Sequence, residues 1–97
     1  MAAPAAGAET GGGALHVTVL SPERTVYEGT AESVVAPAYN GSLGILRGHA
    51  PLMALLGEGS LRIRSGGKEL RYQVAGGFLQ VADDEVTVLS ERAEEAA

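Results

Sequence analysis

The stretch Leu61–Val74, LRIRSGGKELRYQV, carries the clearest structural signal in the chain. Apolar residues alternate with polar ones both before and after the Gly66-Gly67 pair. A period of two is typical of a strand with one buried face, and Gly-Gly suits a two-residue hairpin turn. The stretch therefore predicts an antiparallel hairpin that turns over Ser65–Lys68. Its solvent-facing charged residues are expected to be Arg62, Arg64, Glu69 and Arg71.

The same alternation continues on both sides of this hairpin and predicts further short strands. They are expected at residues 15–20, 25–36, 43–46, 52–56, 78–81 and 86–89. Gly29 is expected to mark a bulge or bend, and Tyr39–Ser42 a turn. Short strands at this spacing predict an all-β protein, either an antiparallel β-sandwich of about eight to ten strands or a barrel. The alternation, with one buried face on each strand, favours the sandwich.

The two ends of the chain depart from this pattern. Residues 1–13, MAAPAAGAETGGG, have small side chains that bury too little area to offset the entropy of ordering, so a flexible tail is expected. Residues 14–90 are expected to form the sandwich. Residues 91–97, ERAEEAA, favour a helix and predict the start or remnant of a helical C-terminal region.

Composition narrows the classes of function. The net charge of −5 argues against unaided binding to nucleic acid or to an anionic membrane surface. The absence of cysteine excludes disulfides, thiolate zinc sites and cysteine catalysis. No apolar run approaches the roughly 20 residues that a membrane-spanning helix needs, so direct membrane insertion is not expected. The 97 residues suit one small acidic domain.

No group of residues has the spacing of a catalytic or metal site. His16 and His49 lack a second ligand at metal-binding spacing, and the acidic run Asp83–Glu85 lacks the alternation of a calcium loop. Neither a phosphate loop nor a G-x-S-x-G elbow occurs. The sequence therefore predicts no catalytic residue, no cofactor, no metal and no small-molecule substrate. His49 either faces a partner or pins its own loop by hydrogen bonding to backbone carbonyls.

A sandwich without such a site is expected to act through its surface, by binding other proteins. Leu46, Met53 and Leu56 are candidate interface residues, although the scarcity of exposed large aliphatic side chains favours a core position for each. Two alternatives stay open at this point. One is a stand-alone β-sandwich binding module, and the other is a fragment of an enzyme whose catalytic part lies elsewhere.

The segment Gly41–Leu52, GSLGILRGHAPL, resembles the epsilon subunit of the F-type proton-translocating ATP synthase. The resemblance continues at Gly59–Ile63, Ala75–Phe78 and Val86–Leu89, and Leu15–Glu23 is similar to the family's first strand. It runs in one register without large gaps and spans the region assigned above to the sandwich. The long G-x-L-G-I-x-x-G-H-A-P-L pattern makes it specific.

The resemblance implies the family's amino-terminal β-sandwich and a non-catalytic role in the central stalk of the rotor. There the domain packs on the gamma subunit and stands on the c-ring, coupling proton flow to ATP synthesis. Ser21 and His49 match positions that face gamma, and the turn of Asn40, Gly41 and Ser42 matches the loop that meets the c-ring. The expected location is peripheral, on the cytoplasmic face of the bacterial cell membrane, where protein contacts hold the domain.

The sequence departs from the family pattern in three places. Ser42 stands where many relatives have an acidic residue, so hydrogen bonds replace an ion pair in the expected c-ring contact. Arg47 stands where many relatives have proline. The chain ends at Ala97, whereas relatives usually continue into a two-helix domain, so no inhibitory or ATP-binding role is expected of these residues.

Overall fold

The structure, a computed structural model, describes residues 14–96 as an all-β domain. The tail expected at residues 1–13 lies outside the described residues, as does Ala97. Within this range there are ten strands and no helix. The strands are β1 Leu15–Leu20, β2 Thr25–Ala31, β3 Ser33–Ala38, β4 Gly41–Leu46, β5 Leu52–Leu55, β6 Glu58–Ser65, β7 Lys68–Ala75, β8 Phe78–Ala82, β9 Glu85–Leu89 and β10 Arg92–Glu95.

These strands form two five-stranded sheets, which confirms the predicted sandwich. The first sheet has the strand order β2-β1-β9-β8-β5, and the second has the order β10-β7-β6-β3-β4. Neighbouring strands are antiparallel throughout, except that β1 and β9 run parallel, with Val17 opposite Val86 and Val19 opposite Val88. This single parallel pair joins the first strand of the described chain to the last strand of the first sheet.

The hairpin predicted from the alternating stretch is confirmed as β6 and β7. Ser65 pairs with Lys68, so only Gly66 and Gly67 form the turn, with φ angles of 60° and 80°. Two successive positive φ angles suit the right-handed twist of the flanking strands, and glycine adopts them without a steric penalty. The charged residues Arg62, Arg64, Glu69 and Arg71 are all exposed on the outer face, as predicted.

The core lies between the sheets and consists mainly of aliphatic side chains. In the first sheet its fully buried members include Leu15, Val17, Val19, Leu79, Val81, Val86 and Val88. The second sheet contributes Val34, Ile45, Leu61, Ile63 and Val74, with Tyr72 and Ala93 at its margin. β-Branched and aliphatic residues fit a pleated surface well, so alternate positions on each strand fill the space between the sheets.

The predicted strand at residues 25–36 is wrong in extent, because the structure divides it between the two sheets. β2 ends at Ala31 in the first sheet, and β3 begins at Ser33 in the second. The chain crosses at Glu32, whose backbone N–H donates to the Arg64 carbonyl at 2.7 Å. No glycine or proline marks this crossing, so the sequence pattern continues through it.

Gly29 does not form the predicted bulge. It pairs regularly with Val17, and the irregularity between β1 and β2 lies instead opposite the step from Val19 to Leu20. A Cβ on Gly29 would lie 2.8 Å from the Tyr27 hydroxyl oxygen. The glycine therefore leaves space for the Tyr27 ring, which packs 5.9 Å from the Tyr72 ring between centroids.

The helix expected within residues 91–97 is also wrong, because Arg92–Glu95 form strand β10 on the edge of the second sheet. Two turns of helix cannot stabilise themselves, whereas the open edge of β7 offers a full set of backbone hydrogen-bonding partners. The pairing runs from Arg92 opposite Ala75 to Glu95 opposite Tyr72. Tertiary pairing thus overrides the local helix propensity.

Ser90 directs the chain from β9 in the first sheet to β10 in the second. It is the one buried polar residue in the described part of the chain, with 1% of its surface exposed. Its Oγ accepts a hydrogen bond from the Ala75 N–H at 3.1 Å and donates one to the Arg92 carbonyl oxygen at 2.6 Å. The hydroxyl therefore satisfies backbone groups at the point where the chain changes sheets.

We predict that Ser90→Ala lowers the free energy of unfolding by about 2 kcal/mol, because the Ala75 N–H loses its partner in a buried place. Chemical denaturation measures this change. Ser60→Ala is the matched control, since Ser60 is exposed on the outer face of β6. Equal stabilities of the two variants would contradict the role given to the Ser90 hydroxyl.

We predict that Gly77→Ala destabilises the domain by about 3 kcal/mol, because strain and collision act together. Gly77 has a φ of 96°, and a Cβ there would overlap the carbonyl oxygen of Leu89. Gly44→Ala is the control, since a Cβ at Gly44 would meet no atom within 4 Å. Thermal unfolding compares the two variants, and a Gly77→Ala protein as stable as Gly44→Ala would refute the argument.

Candidate protein-interaction surfaces

The residues predicted to meet the c-ring lie together at one end of the sandwich. Tyr39 and Asn40 form the turn between β3 and β4, and Ala38 pairs with Gly41 across it. Strand β4 therefore begins at Gly41, two residues earlier than the predicted strand at residues 43–46. Asn40, Gly41 and Ser42 are exposed, so their backbone and side-chain polar groups are accessible to a partner. The Tyr39 N–H donates to the Leu55 carbonyl at 2.8 Å, which fixes the turn against β5.

Ser21 follows the last residue of β1 and is half-buried. Its backbone N–H donates to the Arg24 carbonyl at 2.9 Å, and its Oγ accepts from the Arg24 N–H at 3.3 Å. The side chain thus stabilises the turn that leads into β2. Ser21 contributes to the shape of this end of the sandwich, since its polar atoms are already engaged.

His49 lies in the loop between β4 and β5 and is half-buried. Its Nδ1 is 2.7 Å from the Ala50 carbonyl oxygen, so the ring does pin its own loop. The preceding residue, Gly48, has a φ of 84° and donates its N–H to the Asp84 carboxylate at 2.6 Å. Asp84 thereby ties the His49 loop to the turn between β8 and β9.

Ser21 and His49 lie at opposite ends of the first sheet. Ser21 follows Leu20, whereas the His49 loop contacts Asp84, whose carbonyl accepts from the His16 N–H at the start of β1. The length of β1 separates them, which is about 16 Å for a strand of this size. Ser21 is at the same end as the Asn40 turn, because Leu20 and Leu55 occupy one row across the sheet.

That row of residues is apolar and lies on the outer face of the first sheet. Leu20, Leu89, Phe78 and Leu55 are aligned across β1, β9, β8 and β5, and Met53 lies two residues before Leu55 on β5. Leu55 is 64% exposed and Met53 is 67% exposed. Large aliphatic side chains rarely stay exposed together, so this apolar row is a candidate interface. Tyr39, 79% exposed, lies beside it.

Sequence reasoning found only part of this surface. Met53 and Leu46 are exposed, although a core position was favoured for both, and Leu56 is in the core with 6% of its surface exposed. Leu55, Phe78 and Tyr39 were missed. The run Leu52–Leu56 is apolar throughout. The geometry of a strand places Met53 and Leu55 on one side and Leu52 and Leu56 on the other, but it does not show which side faces outward.

A shallow groove of about 370 Å³ includes part of the apolar row. It is lined by Pro22, Gly77, Phe78, Leu89, Ser90 and Glu91. Most of this lining is apolar, and the groove provides a recess into which a partner side chain can insert.

The chemistry of the described residues offers little beyond these surfaces. No three histidine, cysteine, aspartate or glutamate side chains in residues 14–96 are arranged to hold a metal ion. His16 Nε2 is 3.7 Å from Glu28 Oε2 on the exposed face of the first sheet. Asp83 and Asp84 form the turn between β8 and β9, with φ angles of 53° and 62°. No helix long and apolar enough to span a membrane occurs among the residues described.

The protein is a small two-sheet sandwich, and its candidate functional features are the exposed Asn40 turn and the apolar row. Comparison with protein families identifies it further: residues 14–96 match the ATP synthase, Delta/Epsilon chain, beta-sandwich domain. The chain belongs to this family. It is 50% identical over 80 residues to the ATP synthase epsilon chain of Synechococcus sp. (strain JA-2-3B'a(2-13)), covering 82% of this chain and 58% of that relative.

Other relatives give the same result. The chloroplastic ATP synthase epsilon chain of Guillardia theta is 41% identical over 83 residues, covering 86% of this chain and 63% of the relative. The chain therefore spans about three fifths of the length of these curated relatives. Among solved structures, the fold is similar to a chain in the Euglena gracilis mitochondrial ATP synthase, with a TM-score of 0.79 and 24% identity. That match covers 84% of this chain and 53% of the other.

We predict that Asp84→Ala frees the His49 loop while leaving the sandwich folded. Loss of the carboxylate acceptor is expected to speed amide hydrogen exchange at Gly48 by about tenfold, as measured by NMR. Asp83→Ala is the matched control, because both residues have a positive φ in the same turn but only Asp84 binds Gly48. Equal exchange rates at Gly48 in the two variants would contradict the contact.

Proposed function

We propose that this chain is a non-catalytic subunit of the central stalk of a proton-translocating ATP synthase. In this role it packs on the gamma subunit, contacts the c-ring and helps to couple proton flow to ATP synthesis. The observation that carries the proposal is the match of residues 14–96 to the delta/epsilon β-sandwich family, together with relatives named ATP synthase epsilon chain. The proposed place is peripheral, on the cytoplasmic face of the bacterial cell membrane.

The exposed Asn40 turn supports the contact with the c-ring. Asn40, Gly41 and Ser42 protrude at one end of the sandwich, and hydrogen bonding at Tyr39 holds their hairpin against β5. Because this polar turn is already fixed, it loses little conformational entropy when it binds a polar partner loop. Ser42 contributes a hydroxyl that both donates and accepts, in place of the acidic group of many relatives.

Two features support docking to gamma along the first sheet. The apolar row offers contact area for a partner, because its exposed members Met53 and Leu55 would lose their bound water on binding. Ser21 and His49, the two residues assigned to gamma, are separated by the length of β1. A partner that contacts both must therefore span the length of the first sheet. The side chains of Ser21 and His49 would act by shape, since each is engaged in its own loop.

A stand-alone binding module is the second candidate function. The groove beside Phe78 and Leu89 is the place where such a module would bind its ligand, because small-ligand sites are usually apolar recesses. Such a module would bind its ligand without any ATP synthase subunit.

We predict that Leu55→Lys weakens binding to the gamma subunit by about tenfold or more, because a charge would be buried in the apolar contact. The measurement is titration calorimetry of the full chain with gamma from the same source. Leu46→Lys is the matched control: Leu46 is also 64% exposed, but it lies on the second sheet. Ser21→Glu and His49→Glu, measured alongside, test the two ends of the sheet separately.

An equal loss of affinity in both lysine variants would contradict docking on the first sheet. No binding of gamma by the unmodified chain would contradict the stalk role itself. In that case, copurification of a small ligand with the chain would favour the binding module.

A further inference from the structure

The outer face of the second sheet has an unusual concentration of positive charge. Arg62 and Arg64 on β6 and Arg71 on β7 are exposed there, and we call these three residues the basic face. They are three of the seven basic residues in a chain whose net charge is −5. The concentration is therefore local, and it opposes the charge of the molecule as a whole.

The basic face includes a like-charge pair that does not help the fold. Arg62 is directly opposite Arg71 across β6 and β7. Like charges at opposed positions of a sheet destabilise it, because cross-strand side chains lie only about 5 Å apart at Cβ. Cross-strand attraction therefore does not explain why Arg62 and Arg71 are placed together.

Only one of the three arginines has an anionic partner within residues 14–96. Arg71 Nε donates to Glu69 Oε2 at 3.0 Å. Glu69 lies directly opposite Arg64 across β6 and β7, but neither Arg64 nor Arg62 forms an ion pair in that range. The hydrogen bond from Arg71 holds the pKa of Glu69 below its usual value, and the charges of Arg62 and Arg64 act in the same direction. The face thus stabilises a carboxylate even where it is exposed to water.

Apolar side chains border the basic face. Val35 on β3 pairs with Arg62, and Leu46 on β4 occupies the same row as Arg64, with Ser33 between them. Leu46 is one of the large exposed aliphatic side chains of the described chain. Arginine is enriched in protein interfaces, and the aliphatic side chains beside it add apolar area that a partner can cover.

We propose that the basic face is a docking site for an acidic segment of a partner protein. Arg62 and Arg64 are two residues apart on one strand, so their side chains emerge about 7 Å from each other. Carboxylates at that spacing, such as alternate residues of an extended segment, can each accept a charge-assisted hydrogen bond. Aliphatic residues of the same segment would pack on Val35 and Leu46.

The surroundings of the basic face favour a narrow protein segment over a broad anionic surface. Glu58 and Glu94 are exposed on the outer side of the same sheet, flanking the arginines. A membrane leaflet would meet these carboxylates together with the arginines, and the net charge of −5 would add repulsion. A narrow segment over Arg62 and Arg64 can avoid Glu58 and Glu94, and the carboxylate of Glu69 is already bonded to Arg71. This site is separate from the apolar row on the first sheet, so it does not depend on the proposed docking of gamma.

The test uses the full chain and a synthetic peptide in which Glu alternates with Ser, with a Gln-Ser peptide as the uncharged control. Fluorescence anisotropy is expected to show binding of the Glu-Ser peptide that weakens as salt is added. Arg62→Gln is expected to weaken it by about fivefold or more, because the remaining arginines match only part of the peptide's charge. Arg24→Gln, which removes the same charge from the turn after β1, should change affinity by less than about twofold.

The Arg62→Gln variant is expected to be at least as thermally stable as the unmodified chain, because it relieves the repulsion with Arg71. If this stable variant loses binding, the loss comes from the changed surface and not from unfolding. Several results would overturn the proposal. They are no binding of the Glu-Ser peptide, equal binding of the Gln-Ser peptide, equal weakening by Arg24→Gln, or tighter association with vesicles containing phosphatidylserine. Self-association of the chain that is abolished by Arg62→Gln would assign the face to a second copy instead.

Discussion

The parallel pairing of β1 with β9 is the constraint on which the rest of the structure depends. All other neighbouring strands in the two sheets pair antiparallel, but this pair joins residues from the two ends of the described chain. Val17, Val19, Val86 and Val88 are buried along it and belong to the centre of the core. Because nearly the whole domain lies between β1 and β9 in the sequence, pairing them closes a long loop and costs conformational entropy. The apolar surface buried along the pair must offset that cost.

The same pairing organises both ends of the molecule. At one end it aligns Leu20 with Leu89 and so assembles the apolar row beside the Asn40 turn. At the other end it sets the Asp83–Asp84 turn against the start of β1, from where Asp84 reaches Gly48. Surfaces from distant parts of the sequence thus depend on one register. A shift of one residue would turn the apolar row inward and expose the valines.

The two outer faces of the sandwich are chemically different, and this suits a protein that acts by contact. The first sheet offers aliphatic and aromatic side chains, and the second offers arginines on its two longest strands, β6 and β7. Hairpin turns and the Ser90 hydroxyl satisfy the backbone at the corners. Rigid strands hold interface residues at fixed distances, so little ordering entropy is lost when a partner binds.

The sequence by itself determined where most of the strands form and, in the hairpin of β6 and β7, which side faces water, since alternation with a period of two reflects a local geometry. It placed the Gly66-Gly67 hairpin and the Asn40 turn, because glycine and asparagine report backbone conformation directly. Tertiary structure decided the rest. Arg92–Glu95 became a strand only because β7 offered an open edge, and residues 25–36 divided because each half found a different sheet. Pairing between distant residues decides which of Met53, Leu55 and Leu56 is buried. It also decides that Ser21 and His49 lie far apart, and local composition cannot encode such pairing.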